Sequence, residues 1–291
     1  MVMIRGVLID LSGTLHVGDA VIPGTLEALA RLRADAPDLR VRFLTNTSAK
    51  SSPALREQLV NLKILLTDQV QLEDDTDDDK ELVTSVLATR HYLQTHQPPL
   101  RPYCLMEDTS DLEGHVPLDP PHNCVVVGLA PSKFDYEHMN QAFRILLEHP
   151  NGLIAIHRAK YLRDSSDDGL SLGPGGFVTA LETASGCAPA MVMGKPSAAF
   201  FASAMWDDVS PAHVCMIGDD VVQDLQGAAD AGIGTRLLVQ TGKYRAGDEI
   251  NKVPTGVVTE TVPSIVEAVE YIFKTNTNSD RAAVKNERAS L

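Results

Sequence analysis

Asp10 closes an apolar run, Gly6-Val7-Leu8-Ile9, and is followed by Leu11-Ser12-Gly13-Thr14-Leu15. An aspartate at a strand end ahead of a tight glycine turn can hold its carboxylate exposed and fixed. The competing reading is a turn Asp that bonds to its own backbone. Gly194-Lys195-Pro196 follows Met191-Val192-Met193. A lysine there can neutralise a carboxylate or a phosphate, or it can be an ordinary surface lysine. Gly218-Asp219-Asp220 follows Val214-Cys215-Met216-Ile217, with Asp224 five residues after Asp219. Acids between a strand and a helix can hold a hard cation through oxygen ligands. Equally, they can cap the helix at the favourable end of its dipole. Thr45-Asn46 ends another strand-like run, Val41 to Leu44. Each stretch alone is ambiguous. Together, Asp10, Thr45, Lys195 and Asp219 stand at the ends of apolar strands in chain order, and parallel α/β sheets bind ligands outside the carboxyl ends of their strands.

The elements that must position these residues alternate in type. The continuous apolar run at 6–9 suits a strand buried on both faces. Leu26, Leu29 and Leu32 give a helix, and Ser52-Pro53 starts another that carries Leu55, Leu59 and Leu62. This β-α-β-α order predicts a layered α/β domain. A second α/β unit is expected over the middle of the chain. It has a helix carrying Leu82, Val86 and Leu93, and strands at Tyr103 to Leu105, Cys124 to Leu129 and Leu153 to His157. A helix between the last two presents Tyr136, Met139, Phe143 and Leu147 on one face. Gly173-Pro174-Gly175-Gly176 leads into a helix over Phe177 to Thr183. That turn could cradle a phosphate, but without a P-loop lysine it reads as a hinge or helix entry. The first pattern resumes from Met191, with strands at 191–193, 214–217, 236–239 and 257–258 and helices at 198–205, 223–229 and 265–273. One parallel-sheet domain with another unit inserted into it is the expected architecture.

With 25 basic and 39 acidic residues the net charge is −14, which argues against general nucleic-acid binding. Apolar residues at 44% and charged residues at 22% are ordinary for a globular chain. Four cysteines without a Cys-x-x-Cys pair read as reduced thiols and small buried hydrophobes, and a cytoplasmic location is expected. No apolar stretch is long enough to span a membrane, and Met1 to Ile9 does not read as a signal peptide. Residues 73–81, with seven acids and one lysine, are expected to form a solvated loop, and the polar stretch 275–291 a disordered tail.

The stretches DLSGTLH, FLTNTS, LIAIHRAKY, GLSLGPGGFVTALE, GKP, MIGDD and TGKYR resemble the haloacid dehalogenase-like hydrolase superfamily. The resemblance extends from about residue 4 to residue 273 and is narrower still to the large-cap subgroup of N-acetylglucosamine phosphate phosphatase-like proteins. It implies a Rossmann-like catalytic core over 1–79 and 190–274, and an inserted α/β cap over 80–189. It also implies a Mg²⁺-dependent phosphatase in which Asp10 attacks phosphorus and forms an aspartyl-phosphate. Mg²⁺ would be held by Asp10, Asp219 and the Ser12 carbonyl, while Asp224, with Asp220, would order the ion's waters. Leu11, Ser12, Thr45 and Asn46 would line the phosphoryl site together with Asp10, and Lys195 would balance the anionic charge. A small phosphorylated substrate is the implied partner, and a homodimer through the cap is suggested by the resemblance alone.

One position departs from that pattern. Most phosphatases of the superfamily carry a second Asp two residues after the nucleophile, to protonate the leaving group and then activate water. Ser12 stands there, and losing a positioned general acid typically costs ~10²–10⁴ in rate. The substrate could need little proton help, as with a phosphoramidate, pyrophosphate or acyl phosphate. His16, a cap residue or water could supply the proton. Or the chain could bind phosphate and metal with little or no turnover, as a scaffold does. A receiver-type phospho-signalling domain is disfavoured by length, since receivers have about 120 residues. In the insert, His157, Arg158, Lys160, Tyr161 and Arg163 form a basic cluster that reads either as a rim for an anionic leaving group or as a solvated strand edge.

Overall fold

A computed structural model of the chain describes residues 2–66, 81–163 and 170–289. From the N-terminus the order is β1 (Gly6–Asp10), a hairpin of β2 (His16–Val17) and β3 (Ala20–Val21), α1 (Thr25–Asp35), β4 (Arg40–Thr45), α2 (Ser52–Asn61) and β5 (Leu82–Thr84). Next come α3 (Ser85–Thr95), β6 (Pro102–Leu105), β7 (Cys124–Val127), α4 (Tyr136–Glu148) and β8 (Leu153–Ala155). The pair β9 (Tyr161–Arg163) and β10 (Leu170–Leu172), α5 (Gly175–Ser185), β11 (Met191–Val192) and α6 (Ala198–Ala204) follow. The chain continues through β12 (Val214–Gly218), a π-helical turn (Val221–Gln226), α7 (Gly227–Asp230), β13 (Thr235–Val239), α8 (Asp248–Asn251), β14 (Glu260–Val262) and α9 (Ile265–Ala289).

The chain divides into two compact units. The first comprises Met1–Leu44, Leu59–Leu82 and Phe201–Leu291, and the second Thr45–Gln58 and Val83–Phe200. The main sheet has the order β14-β13-β12-β1-β4-β5. β1 pairs in parallel with both β12 and β4, and β13 pairs in parallel with β12 and β14. β1 and β12 are buried along their whole length, as strands covered on both faces must be, which is why they are uninterrupted apolar runs. Strand order reverses at β1, where the chain goes first to β4 on one side and later to β12 on the other. That is the topological switch point, where a crevice opens at the carboxyl edge.

The second unit is built on the sheet β11-β8-β7-β6. Its strands alternate between two cores. Val125 and Val127 pack with Ala142, Leu146, Val178 and Leu181 of α4 and α5. Cys124 and Val126 pack with Val86 and Leu93 of α3, as the two-residue period of a strand requires. The side chains of Thr84 and Asp135 cap α3 and α4.

Four expectations change. Leu82 lies in β5 ahead of its helix, and the last strand is β14 at Glu260–Val262, not 257–258. On α4 the buried seam is Ala142 and Leu146, while Tyr136 and Leu147 are 85% and 55% exposed. The seam turns on a small alanine, which periodicity of large residues overlooks. Residues 275–289 are not a disordered tail but continue α9 as helix. Thr275 is buried, and the Asn276 side chain exchanges two hydrogen bonds with the Ile4 backbone, at 2.7 and 2.9 Å. Polar composition concealed this, because these side chains bond to backbone instead of water.

The unit boundaries also differ from 79/80 and 189/190. Residues 45–58 group with the second unit, since Ser51 and Ser52 donate their amides to Asp108 and Asp111 at 3.1 and 2.8 Å. The acidic stretch 73–80 lies outside the described residues. No helix among the described residues is long and apolar enough to cross a membrane.

Candidate active site

In the first unit, Ile9 of β1 lies opposite Ile217 of β12, so Asp10 and Asp219 emerge at neighbouring strand ends. Beyond Asp219 the chain enters the π-helical turn, which folds Asp224 back beneath the strand end it has just left. A Cβ on Gly218 would stand 2.3 Å from Asp224 Oδ2, and that oxygen accepts the Asp220 amide at 3.1 Å. Candidate ligand atoms of Asp10, Asp219 and Asp224 all lie within 4.8 Å of one another. The three residues are 6%, 2% and 1% exposed.

Carboxylates this close and this dry cannot all carry charge without cost. Burial pushes the Asp219 carboxyl well above its ordinary range, and the charges of Asp10 and Asp224 push it further. The donor set fits a hard divalent cation, being anionic and all oxygen. Asp220 does something else. Its Oδ1 accepts the amides of Val222 and Gln223 at 3.1 and 3.0 Å, so the helix-capping alternative is realised at Asp220 and not at Asp219.

The loop after β1 wraps this ring. The Leu11 carbonyl accepts the Leu15 amide at 2.9 Å, and the Thr14 hydroxyl reaches Asp10 Oδ2 at 3.3 Å. Gly13 has φ +91°, and a Cβ there would meet Asp219 Oδ2 at 2.1 Å. Ser12 is exposed. His16 is buried, with Nδ1 2.7 Å from the Gly18 carbonyl. A carbonyl only accepts, so Nδ1 carries a proton, and Nε2 is buried with no hydrogen-bond partner among the described residues.

Sequence reasoning assigned no role to the turn after β13, Thr241-Gly242-Lys243. The Lys243 amide donates to Asp219 Oδ2 at 2.7 Å, and Thr241 Oγ1 donates to the Gly13 carbonyl at 2.6 Å. Burial draws the Lys243 ammonium pKa down, but the carboxylates of Asp219, Asp220, Asp10 and Asp224 outweigh it and hold the pKa above its ordinary value. The available signal was the position of TGK directly after an apolar strand, the same context as the other site stretches.

Thr45, Asn46 and Lys195 are brought together in the second unit. Lys195 donates its amide to Asn46 Oδ1, and its carbonyl accepts from Asn46 Nδ2, both at 2.9 Å. Gly194 makes this approach possible, because a Cβ there would stand 2.3 Å from Asn46 Oδ1. The buried Thr45 hydroxyl donates to Thr47 Oγ1 at 2.9 Å and accepts the Thr47 amide at 3.0 Å. Two members of the basic cluster are committed to structure. Arg158 makes a two-pronged ion pair with Glu182 at 2.7 and 2.8 Å, and His157 is buried with Nε2 3.2 Å from Ser48 Oγ. The four cysteines are free thiols, and burial pushes Cys104 and Cys124 up to about 12.

Comparison with known proteins bears on the family and the fold. The family model described as haloacid dehalogenase-like hydrolase matches residues 7–114, and a HAD-hydrolase-like model matches residues 192–267. The chain is 43% identical over 274 residues to haloacid dehalogenase-like hydrolase domain-containing protein 2 of Mus musculus, covering 93% of this chain and 96% of that one. It is 37% identical over 278 residues to the phospholysine phosphohistidine inorganic pyrophosphate phosphatase of Rattus norvegicus, covering 93% and 95%. Its fold matches the glycerol phosphate phosphatase of Mycobacterium tuberculosis, solved in complex with magnesium, with a TM-score of 0.72, 24% identity, and 90% and 75% of the two chains covered.

Proposed function

Because the chain belongs to the haloacid dehalogenase-like hydrolases, we propose that it is a Mg²⁺-dependent phosphohydrolase working through an aspartyl-phosphate on Asp10. The observation that carries this reading is the ring of three buried carboxylates at the carboxyl edge of the sheet. Asp10 and Asp219, with the Ser12 carbonyl, would hold the ion, and Asp224, which closes the ring, would order its waters; the ion's chemistry is to draw charge from the phosphoryl oxygens.

A carboxylate oxygen of Asp10 attacks phosphorus as the bond to the leaving atom breaks, and the leaving atom departs with the electron pair. Water then attacks the phosphorus of the aspartyl-phosphate, inorganic phosphate leaves, and the carboxylate is restored. The Thr14 hydroxyl, 3.3 Å from Asp10 Oδ2, steadies the nucleophile. The assignment of Leu11, Thr45, Asn46 and Lys195 to the phosphoryl group rests on the family resemblance, and the Asn46–Lys195 clamp supports it by fixing the lysine backbone.

Ser12 narrows the substrate. A hydroxyl has no useful acidity near neutrality, so the favoured bonds are those whose leaving group needs little protonation: N–P, P–O–P or acyl phosphate. The name of the rat relative, which specifies phospholysine, phosphohistidine and pyrophosphate, supports the same class. The free thiols support a reducing, cytoplasmic compartment. A homodimer through the cap is part of the proposal, tested by the mass in solution.

The experiment is a screen of phosphorylated metabolites, pyrophosphate and phosphohistidine peptides, with and without Mg²⁺. Native, Asp10→Asn and Ser12→Asp proteins are compared. Turnover by native protein, lost in Asp10→Asn, is expected, and activity retained in Asp10→Asn removes Asp10 as nucleophile. The second reading, a metal and phosphate binder without turnover, is favoured by the hydroxyl at position 12. It is borne out if native protein hydrolyses nothing while Ser12→Asp does.

A further inference from the structure

The mechanism above gives no role to Lys243 of the first unit. Lys243 sits in a turn built against the acidic ring at three points. Thr241 Oγ1 donates to the Gly13 carbonyl at 2.6 Å. Gly242, at φ +58°, approaches so closely that a Cβ would stand 2.1 Å from Asp219 Oδ2 and 2.5 Å from Gly13 Cα. The Lys243 amide bonds that same Asp219 oxygen at 2.7 Å. The side chain is a third exposed, with its ammonium 3.9 Å from Asp220 Oδ2.

We propose that Lys243 is the built-in counter-ion of the acidic ring and a positioning residue for phosphoryl transfer. It would moderate the affinity of the ring for a divalent cation and supply the charge that lets a phosphate anion enter the loaded site. The inference rests on the Mg²⁺-dependent reading above.

The argument is one of charge. Three ionised carboxylates and an arriving phosphate together carry more negative charge than a divalent ion neutralises, and an ammonium tethered beside Asp219 and Asp220 offsets part of that excess. Asp220 Oδ2 is the near partner of the ammonium, at 3.9 Å, and the backbone bond from Lys243 to Asp219 sets that ammonium beside the ring. The nearby carboxylates of Asp219, Asp220, Asp10 and Asp224 all favour the charged form of this lysine. The backbone bond to Asp219 restrains that carboxylate from rotating and ties the position of the lysine to that of the ring.

The test uses the full chain. Mg²⁺ is titrated by calorimetry, and then inorganic phosphate is titrated into Mg²⁺-saturated protein, for native, Lys243→Met, Lys243→Gln, Lys243→Arg and Asp219→Asn forms. In the Met and Gln variants the Mg²⁺ dissociation constant should fall about tenfold and that for phosphate should rise about tenfold. Lys243→Arg should restore both. A lysine that only fills space would lower the melting temperature without moving the two constants in opposite directions. Unchanged constants in both neutral variants overturn the inference alone. Native protein that takes up no more Mg²⁺ than Asp219→Asn overturns it together with the metal reading.

Discussion

Replacing Asp219 with asparagine should stabilise the metal-free protein while abolishing its Mg²⁺ response. Asp219 shares a buried ring with Asp10 and Asp224, all ligand atoms lying within 4.8 Å. At that separation each pair of like charges costs about 3.5 kcal/mol at an effective dielectric of ~20. The Asp219→Asn substitution would remove two such pairs and keep an oxygen for the Lys243 amide. Proton uptake already relieves part of the repulsion in the native chain, so the net gain should be about 2–3 kcal/mol, or roughly 3–5 °C in melting temperature for a chain of this size.

The sign with pH follows from linkage. The folded-state pKa of Asp219 is raised above its ordinary 3.8, first by burial and then by Asp10 and Asp224. Its contribution therefore favours folding at low pH and is lost as pH rises from the unfolded value through the folded one. The assay is thermal unfolding of native and Asp219→Asn protein at several pH values, in chelator and in saturating Mg²⁺. Native protein in chelator should lose stability relative to the variant as pH rises above about 4. Mg²⁺ should raise the melting temperature of native protein alone. A variant less stable than native protein in chelator at pH 7.5 would refute the reasoning, because the ring would then not be under charge strain.

Three further outcomes are expected. Gly242→Ala should cost more than about 2 kcal/mol and most of the activity, since it combines a positive φ with a 2.1 Å approach to Asp219 Oδ2; unfolding and initial rates check this. Asn46→Ala removes both hydrogen bonds to the Lys195 backbone and should lower stability by about 1–3 kcal/mol with a fall in rate, measured by denaturant titration and steady-state kinetics. Truncation after residue 274 deletes the Asn276 side chain that pairs with Ile4; a drop of about 1–2 kcal/mol is expected, and an unchanged denaturation midpoint would return 275–291 to the status of a loose tail.

The strand-end positions of Asp10 and Asp219 were legible from the sequence because each follows an apolar run, which a strand buried on both faces, as β1 and β12 are, must be; Lys195 instead follows β11, an edge strand of the second unit's sheet whose Met191 is exposed. The α/β order was legible for the same local reason. Lys243, Gly242 and Thr241 were not, because their importance comes from what the turn after β13 touches some 230 residues away in sequence, at Gly13. The distinction between Asp219 and Asp220 was equally hidden. Two adjacent acids of identical chemistry diverge only when the π-helical turn gives one of them two amides to cap and turns the other into the ring. Arg158 and His157 looked available for a substrate until Glu182 and Ser48 were found against them.

Local pattern thus fixed which residues stand at strand ends, since burial and backbone pairing act over a few residues. Tertiary packing decided which of those side chains share charge, which are spent on capping, and which glycines must stay bare, because those outcomes depend on distances between segments remote in the chain.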